Sequence, residues 1–126
     1  MNNVTILKIG ETIIVPIQID LHDAAAKSLQ EDILKRIEKY GSKGLIIDVS
    51  AVEIIDSFLG RVLVETSKMA KLMGADTVIA GMRKEVVLTL LHLGLAMGDL
   101  KTALNIEEGL VLLSRQQGRN NEKSIR

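Results

Sequence analysis

The sequence predicts an α/β fold built around a mixed sheet of about five strands whose centre is parallel. Three observations lead to this class. Segments rich in β-branched residues alternate with segments whose apolar residues recur every three or four positions, some strand-like segments are almost uniformly apolar, and glycines separate many of them. The predicted order is β-β-α-β-α-β-α-β-α, with right-handed crossovers between the parallel strands.

The first half of the chain predicts a hairpin, a helix and a buried strand. Two β-branched segments flank Gly10-Glu11, which is typical of an antiparallel hairpin, and Pro16 lies near the end of the second segment. A helical repeat with Asp23 as its predicted N-cap follows, and then an apolar run typical of a central strand. The predicted bounds are 4–9 and 12–17 for the hairpin strands, 23–41 for the helix and 45–49 for the third strand.

The second half continues this alternation and ends in a polar segment. The third helix is predicted to turn Val87, Leu90 and Leu91 inward, and Asn105 is the predicted N-cap of the last helix. Because the final residues are polar, we expect one domain over residues 1–114 and a disordered tail over residues 115–126. The predicted bounds are 57–73 for the second helix, 77–81 for a buried strand, 84–93 for the third helix, 100–104 for a short edge strand and 106–114 for the last helix.

Composition excludes several classes of function. Aromatic residues make up only 2% of the chain, so the core is aliphatic and an aromatic platform for stacking nucleic-acid bases is not expected. The 16 Lys and Arg residues balance 16 Asp and Glu residues, which leaves no basic field for nucleic acid or an anionic membrane. Cysteine is absent, the N-terminus lacks the pattern of a signal peptide, and no apolar run approaches the roughly 20 residues that span a bilayer. We therefore expect a cytoplasmic protein without nucleic-acid or membrane partners.

The polar residues form no recognisable catalytic, cofactor or metal motif. His22 and His92 are far apart in the sequence, and no neighbouring His, Asp or Glu has the spacing of a metal site. Ser57 lacks the Gly-x-Ser-x-Gly surroundings of a hydrolase nucleophile, and the glycines match neither the dinucleotide-binding nor the Walker pattern. We predict that the chain is not an enzyme and uses neither a cofactor nor a metal.

Ser57 allows two interpretations. A Ser or Asp directly before an amphipathic helix is typical of an N-cap, which needs no function beyond folding. Alternatively, a hydroxyl in the first helical turn after a central strand lies at the carboxyl edge of the sheet, where a phosphate would face free backbone N–H groups. That phosphate would also place nearly two negative charges beside Asp56. The residues alone leave both interpretations open and favour the cap.

The order of elements and the run Asp56–Arg61 resemble the STAS family (sulfate transporter and anti-sigma factor antagonist domains) over nearly all of the chain from Val4 to Leu113. The resemblance is greatest to the small stressosome scaffold members of that family. It implies helices packed mainly on one side of the sheet. The Asp-Ser pair is the most specific part, because family members are phosphorylated at that serine. Further supporting stretches are Asp20–Asp23, Met73–Ala75, Val78–Met82 and Thr102–Asn105.

Several functional expectations follow from this resemblance. Ser57 would be the phosphoacceptor. RsbR-type co-antagonists would assemble with the chain into a large scaffold, which also involves self-association. The scaffold would hold an RsbT-type serine/threonine kinase inactive until the kinase phosphorylates it, and a PP2C-type phosphatase would reset the serine. The residues that the resemblance places at partner contacts are Asp20, Asp23, Asp56, Leu59, Gly60 and Arg61.

Two alternatives stay beside this interpretation. A sporulation-type antagonist binds an anti-sigma kinase directly, although Phe58 and Leu59 fit the usual motif of that branch less well. A small-ligand or nucleotide-binding module is the other, since the carboxyl edge of a parallel sheet is a usual place for a pocket. The larger co-antagonists carry an N-terminal sensory domain, whereas the first strand predicted here begins at about Val4, so a scaffold and substrate is expected and not a sensor.

Overall fold

The computed structural model describes residues 5–17, 21–92 and 100–125, and within these ranges it contains five strands and four helices in the predicted order. The fold class is therefore confirmed. The strands are β1 (Leu7–Ile9), β2 (Thr12–Pro16), β3 (Gly44–Asp48), β4 (Asp76–Ala80) and β5 (Lys101–Ala103), and the helices are α1 (Asp23–Tyr40), α2 (Ser57–Leu72), α3 (Lys84–His92) and α4 (Ile106–Ile125).

The sheet has the strand order β1-β2-β3-β4-β5. The hairpin of β1 and β2 is antiparallel, as the sequence predicts, and the three remaining pairs are parallel. Ile46 of β3 is in register with Ile14 of β2 and Val78 of β4, so β3 occupies the middle of the sheet. Because parallel strands joined by helices end at one edge, the carboxyl ends of β2, β3, β4 and β5 lie together.

Both faces of the central strands are covered, which explains their mostly apolar sequences. Leu45 and Ile47 face the core under α1, α2 and α3, whereas Ile46 faces Leu113 of α4 on the other side. The predicted placement of the helices mainly on one side is confirmed, with α4 as the single helix described on the opposite face. Helix α4 lies close to the sheet at Gly109, where a Cβ atom would come within 3.2 Å of the Ile46 side chain.

Helix α4 is longer than predicted. The polar sequence after Ser114 predicted the end of the helix there, but the helix continues to Ile125. The physical reason is that Gln, Arg, Glu and Lys are favourable helix formers, so a polar segment without proline need not end a helix. Asn105 caps this helix as predicted, since its Oδ1 accepts the backbone N–H of Glu108 at 2.8 Å.

Two further details of the helices differ from the predictions. Asp23 is the first residue of α1 and not its N-cap, which is His22, and no side chain forms a capping hydrogen bond there. Asp23 still lies where a carboxylate complements the helix dipole. In α3 Leu90 is buried as predicted, but Val86 is buried instead of Val87, and Leu91 is 58% exposed, because a nine-residue helix buries a narrower stripe than the apolar residues suggest.

A buried hydroxyl on β4 gives a prediction about stability. Among the buried polar side chains of the described residues, only Ser42 Oγ and Thr77 Oγ1 lack a hydrogen-bond partner. An unpaired buried polar group costs free energy, so Thr77→Val is expected to raise the free energy of unfolding by about 1 kcal/mol. Urea denaturation measures this change.

Thr66 provides the matched control, because its hydroxyl accepts from Gln30 Nε2 at 3.1 Å and donates to the Val62 carbonyl at 2.6 Å. Thr66→Val breaks both hydrogen bonds and is expected to destabilise the protein by roughly 1–3 kcal/mol. Equal effects of the two Thr→Val substitutions would contradict the assignment of Thr77 as unpaired.

Candidate phosphorylation site at the start of helix α2

The loop between β3 and α2 fixes where the Asp56-Ser57 pair lies. After β3, Val49 donates its backbone N–H to the Ala80 carbonyl at 2.9 Å, and a turn follows in which Val52 donates to the carbonyl of Val49 at 2.9 Å. Val52 and Ile55 are both buried in the core beneath the helices. These anchors bring the chain back over the sheet, so that α2 starts at its carboxyl edge.

Asp56, and not Ser57, is the N-cap of α2. Its Oδ1 accepts the backbone N–H of Leu59 at 2.8 Å, and its carbonyl accepts the N–H of Gly60 at 3.0 Å. Ser57 is the first helical residue, is exposed, and its hydroxyl makes no hydrogen bond to any described residue. The capping interpretation of Ser57 is therefore wrong, and its hydroxyl remains available for chemistry.

The other residues of the motif divide into exposed and buried positions. Arg61 is exposed, like Ser57, because the two lie four residues apart on one face of α2. Leu59 is 4% exposed and Gly60 is buried, and Leu59 belongs to the core under the helices. Neither Leu59 nor Gly60 offers an accessible side chain in this structure, and their contact with a partner stays a prediction.

The predicted acidic contacts lie in a neighbouring part of the fold. Asp23 is exposed at the start of α1, and α1 and α2 both start at the carboxyl edge of the sheet and pack side by side. The topology thus brings Asp23 and Asp56 to the same edge. Asp20 lies outside the described residues.

A polar junction fixes α2 against α1. Lys27 Nζ lies 3.0 Å from Glu65 Oε1, and one turn along, the buried Gln30 donates to Thr66. The hydrogen bond from Lys27 is the main cause that lowers the pKa of Glu65 from its ordinary value, and a hydrogen bond from Gln30 adds to it. This junction joins α1 and α2 beside the buried contacts that Leu59, Val62 and Leu63 make with the core.

The lowered pKa of Glu65 predicts a dependence of stability on pH. The contribution of the ionised carboxylate is present above the ordinary carboxyl pKa of 4.5 and is lost as the pH falls through the lower folded-state value. Because both side chains are nearly half exposed, Glu65→Gln is expected to cost only about 0.2–1 kcal/mol at pH 7. The difference between the two proteins in urea-unfolding free energy should then disappear in acid. A difference that stays constant with pH would show that the carboxylate charge contributes nothing.

An open cleft lies at the carboxyl edge of the sheet, where the ligand-binding alternative expects a pocket. It has a volume of about 500 Å³ and its lining includes Ser50, Gly81, Arg83, Leu104 and Glu108. Arg83 Nε donates to the Ser50 carbonyl at 3.2 Å, and this bond to a neutral oxygen leaves the charge of the exposed guanidinium in place. Gly81, which lines the cleft, directly follows a buried strand, and a glycine at such a position is typical of a close backbone approach.

Within the described ranges, no group of three His, Asp or Glu side chains is arranged to hold a metal ion. None of the described helices combines the length and the hydropathy that crossing a bilayer requires. The functional groups at the start of α2 are the free hydroxyl of Ser57, the carboxylate of Asp56 and the guanidinium of Arg61.

The family follows from comparison with known proteins. The family model described as the STAS domain matches residues 3–109. The chain belongs to the STAS domain family, in agreement with the resemblance carried by Asp56–Arg61.

Two solved structures show which members of the STAS domain family this chain is similar to. A solved structure of a variant of RsbS from Moorella thermoacetica is 37% identical, covers 92% of this chain and 98% of its own, and has a TM-score of 0.84. A chain from the structure of the stressosome, described as a signal integration and transduction hub, is 39% identical, with coverages of 90% and 98% and a TM-score of 0.81. The chain is thus similar to RsbS and belongs among the stressosome and anti-sigma factor antagonist proteins of the family.

Curated relatives include the RsbT co-antagonist protein RsbRA of Bacillus subtilis. It is 25% identical over 97 residues, which are 77% of this chain and 35% of RsbRA. A second co-antagonist of the same organism, RsbRD, is 29% identical over 93 residues, 74% of this chain and 33% of its own length. The chain spans about a third of the length of these curated relatives.

Proposed function

We propose that this chain is a non-catalytic stressosome scaffold protein and anti-sigma factor antagonist that retains a serine/threonine kinase until Ser57 is phosphorylated. One observation carries the proposal. The Asp56 side chain caps α2, which leaves the exposed Ser57 hydroxyl without a structural role. The similarity to RsbS over nearly the whole chain supports the assignment to this branch of the family.

The position of Ser57 suits a charge switch. A phosphate carries about −1.5 to −2 charges near neutral pH, and the first turn of a helix tolerates it because backbone N–H groups there are unpaired. The fold would remain intact, while the surface around Ser57, Asp56 and Arg61 would change from nearly neutral to negative. A partner that binds the unmodified surface would then be released.

The partners follow from the same branch of the family. In this proposal RsbR-type co-antagonists assemble with the chain, and an RsbT-type kinase is held inactive by the assembly. A PP2C-type phosphatase restores the serine. Self-association would contribute to the assembly, and the cytoplasm would be its location. The match to a chain of the stressosome structure supports the assembly, and the co-antagonist names of the curated relatives support the kinase.

Assembly tests this function against direct binding of an anti-sigma kinase. Mixed with an RsbR-type co-antagonist and the kinase without ATP, the chain is expected to elute in size-exclusion chromatography far above the mass of a monomer, with the kinase in the same fraction. Addition of ATP should move the kinase to a later fraction. If the chain binds the kinase in a small complex and ignores the co-antagonist, the direct-binding alternative is correct.

A further inference from the structure

We propose that Arg61 is the internal partner of the Ser57 phosphate, and that Lys27 keeps Arg61 available for this role by engaging Glu65. The inference rests on the proposed function, because it requires a phosphate on Ser57. It adds how the modified state is held: phosphorylation would form an ion pair within α2 and withdraw the Arg61 charge from any partner.

The spacing along α2 places three side chains on one line. Ser57, Arg61 and Glu65 follow each other at intervals of four residues, at which helix side chains are neighbours on the surface. An anion on the N-terminal side of a cation is the more favourable order for such a pair. Phosphorylated Ser57 and Arg61 have this order, whereas Arg61 and Glu65 have the less favourable one.

Arg61 is unengaged in the unmodified protein. It is exposed, and among the described residues it forms no salt bridge. Glu65 would be its natural acidic neighbour, but Lys27 from α1 lies 3.0 Å from the Glu65 carboxylate. Glu65 is therefore already satisfied from the α1 side and competes weakly for Arg61.

The chemistry of the pair favours phosphate over the other anions at this edge. A guanidinium offers two parallel N–H donors that match phosphate oxygens, and the phosphate carries more charge than a carboxylate. Asp56 is the nearest carboxylate, but one of its oxygens already accepts the Leu59 N–H at 2.8 Å. The other charged or titratable groups around the start of α2 are Glu53 in the preceding loop and His22, Asp23 and Lys27 on or beside α1.

Phosphorylation would change the role of the Arg61 side chain from a free cation to the partner of the phosphate. Unmodified, the surface presents a free Arg61 cation beside a neutral hydroxyl. Phosphorylated, the same cation is paired within the chain, so a partner that used Arg61 loses an attraction and also meets new negative charge. Phosphate and arginine together would therefore switch the surface more completely than the phosphate alone.

The test uses the full chain with phosphoserine placed at position 57 during translation, so that no kinase is needed. Phosphorus NMR follows the second ionisation of the phosphate against pH. Loss of the Arg61 pair disfavours the doubly charged phosphate, so Arg61→Gln should raise the midpoint by about 0.4 pH. Lys68→Gln removes an exposed cation farther along α2 and is the control, with an expected change below about 0.1 pH.

A second pair of variants tests the role of Lys27. Lys27→Gln frees Glu65 to compete for Arg61 and should raise the midpoint by roughly half as much as Arg61→Gln. Adding Glu65→Gln removes the competitor and should restore the original midpoint. A midpoint unchanged by Arg61→Gln, or one that Glu65→Gln fails to restore, overturns the inference. Failure of the kinase to phosphorylate Ser57 would instead overturn the proposed function. The titration does not depend on that result, because the phosphoserine is introduced during translation.

Discussion

Replacing Ser57 with alanine is expected to reduce phosphate transfer from the cognate kinase to background, from one phosphate on each chain to none. The substitution removes the acceptor oxygen and leaves the Asp56 cap of α2 intact. Ser57→Ala should therefore change the free energy of unfolding by less than about 0.5 kcal/mol, as expected for an exposed position. Intact-protein mass spectrometry after incubation with kinase and ATP measures the transfer.

Two controls separate loss of the acceptor from loss of the fold. Ser50→Ala removes another exposed hydroxyl at the same edge of the sheet and should still accept one phosphate per chain. Asp56→Ala removes the cap, costs about 1 kcal/mol of stability, and keeps the acceptor. Quantitative phosphate on the Ser57→Ala protein would show that the site is elsewhere.

The same substitution predicts the behaviour of the assembly. A scaffold with Ser57→Ala should retain the kinase after ATP is added, because it cannot gain the charge that expels the kinase. Ser57→Asp should weaken retention only in part, since one carboxylate carries less charge than a phosphate. The kinase fraction that co-elutes with the scaffold reports both effects.

The sequence was most informative where a single physical cause determines the pattern. Residues 45–49 and 77–81 are mostly apolar, with Asp48 and Thr77 as the polar exceptions, because helices cover both faces of β3 and β4. This pattern sufficed to predict both as buried strands. The capping of α4 by Asn105 was also predictable, because a helix N-terminus leaves backbone N–H groups that a nearby side-chain oxygen satisfies.

The choice between Asp56 and Ser57 as the cap was not predictable. Both residue types cap helices well, so local preference does not distinguish them. The buried anchors Val52 and Ile55 fix the path of the loop and, with it, the residue at which the helix begins. One residue of difference decides whether the serine hydroxyl is used in folding or free for modification.

Which residues of the run Asp56–Arg61 are buried could not be predicted from the run itself. The run Asp56–Arg61 covers more than one helical turn, so its residues necessarily point in all directions around α2. The contacts of α2 with the sheet and with α1 direct Leu59 and Gly60 inward and leave Ser57 and Arg61 outside. A resemblance in sequence covers the whole run, whereas only part of the run is exposed in the structure.

The cleft at the carboxyl edge exists because two loops distant in sequence meet there. Gly81 follows β4 with φ +72°, and a Cβ atom on it would lie 2.7 Å from the Cβ of Ser50 and 3.1 Å from Asp48 Oδ1. A glycine directly after a buried strand indicates a close backbone approach, but no local pattern identifies Ser50, about 30 positions away, as the residue that approaches it. It matters for function because Ser50 belongs to the loop that leads to the Asp56 cap.

Gly81→Ala is accordingly the substitution with the largest expected effect on stability. The positive φ strains any side chain by about 1–2 kcal/mol. The clash with Ser50 adds about 1–3 kcal/mol, because the Cα and Cβ atoms of Ser50 cannot turn away. A total loss of about 3 kcal/mol in the free energy of unfolding is expected, measured by urea denaturation.

Gly74→Ala isolates the contribution of the contact. Gly74 follows α2 with φ +90°, but no atom lies within 4 Å of an added Cβ, so only the backbone strain of about 1–2 kcal/mol applies. The difference between the two Gly→Ala proteins therefore measures the contact between Gly81 and Ser50. Equal destabilisation would mean that the loop gives way at no cost, and that the Asp56 cap and the position of Ser57 do not depend on this contact.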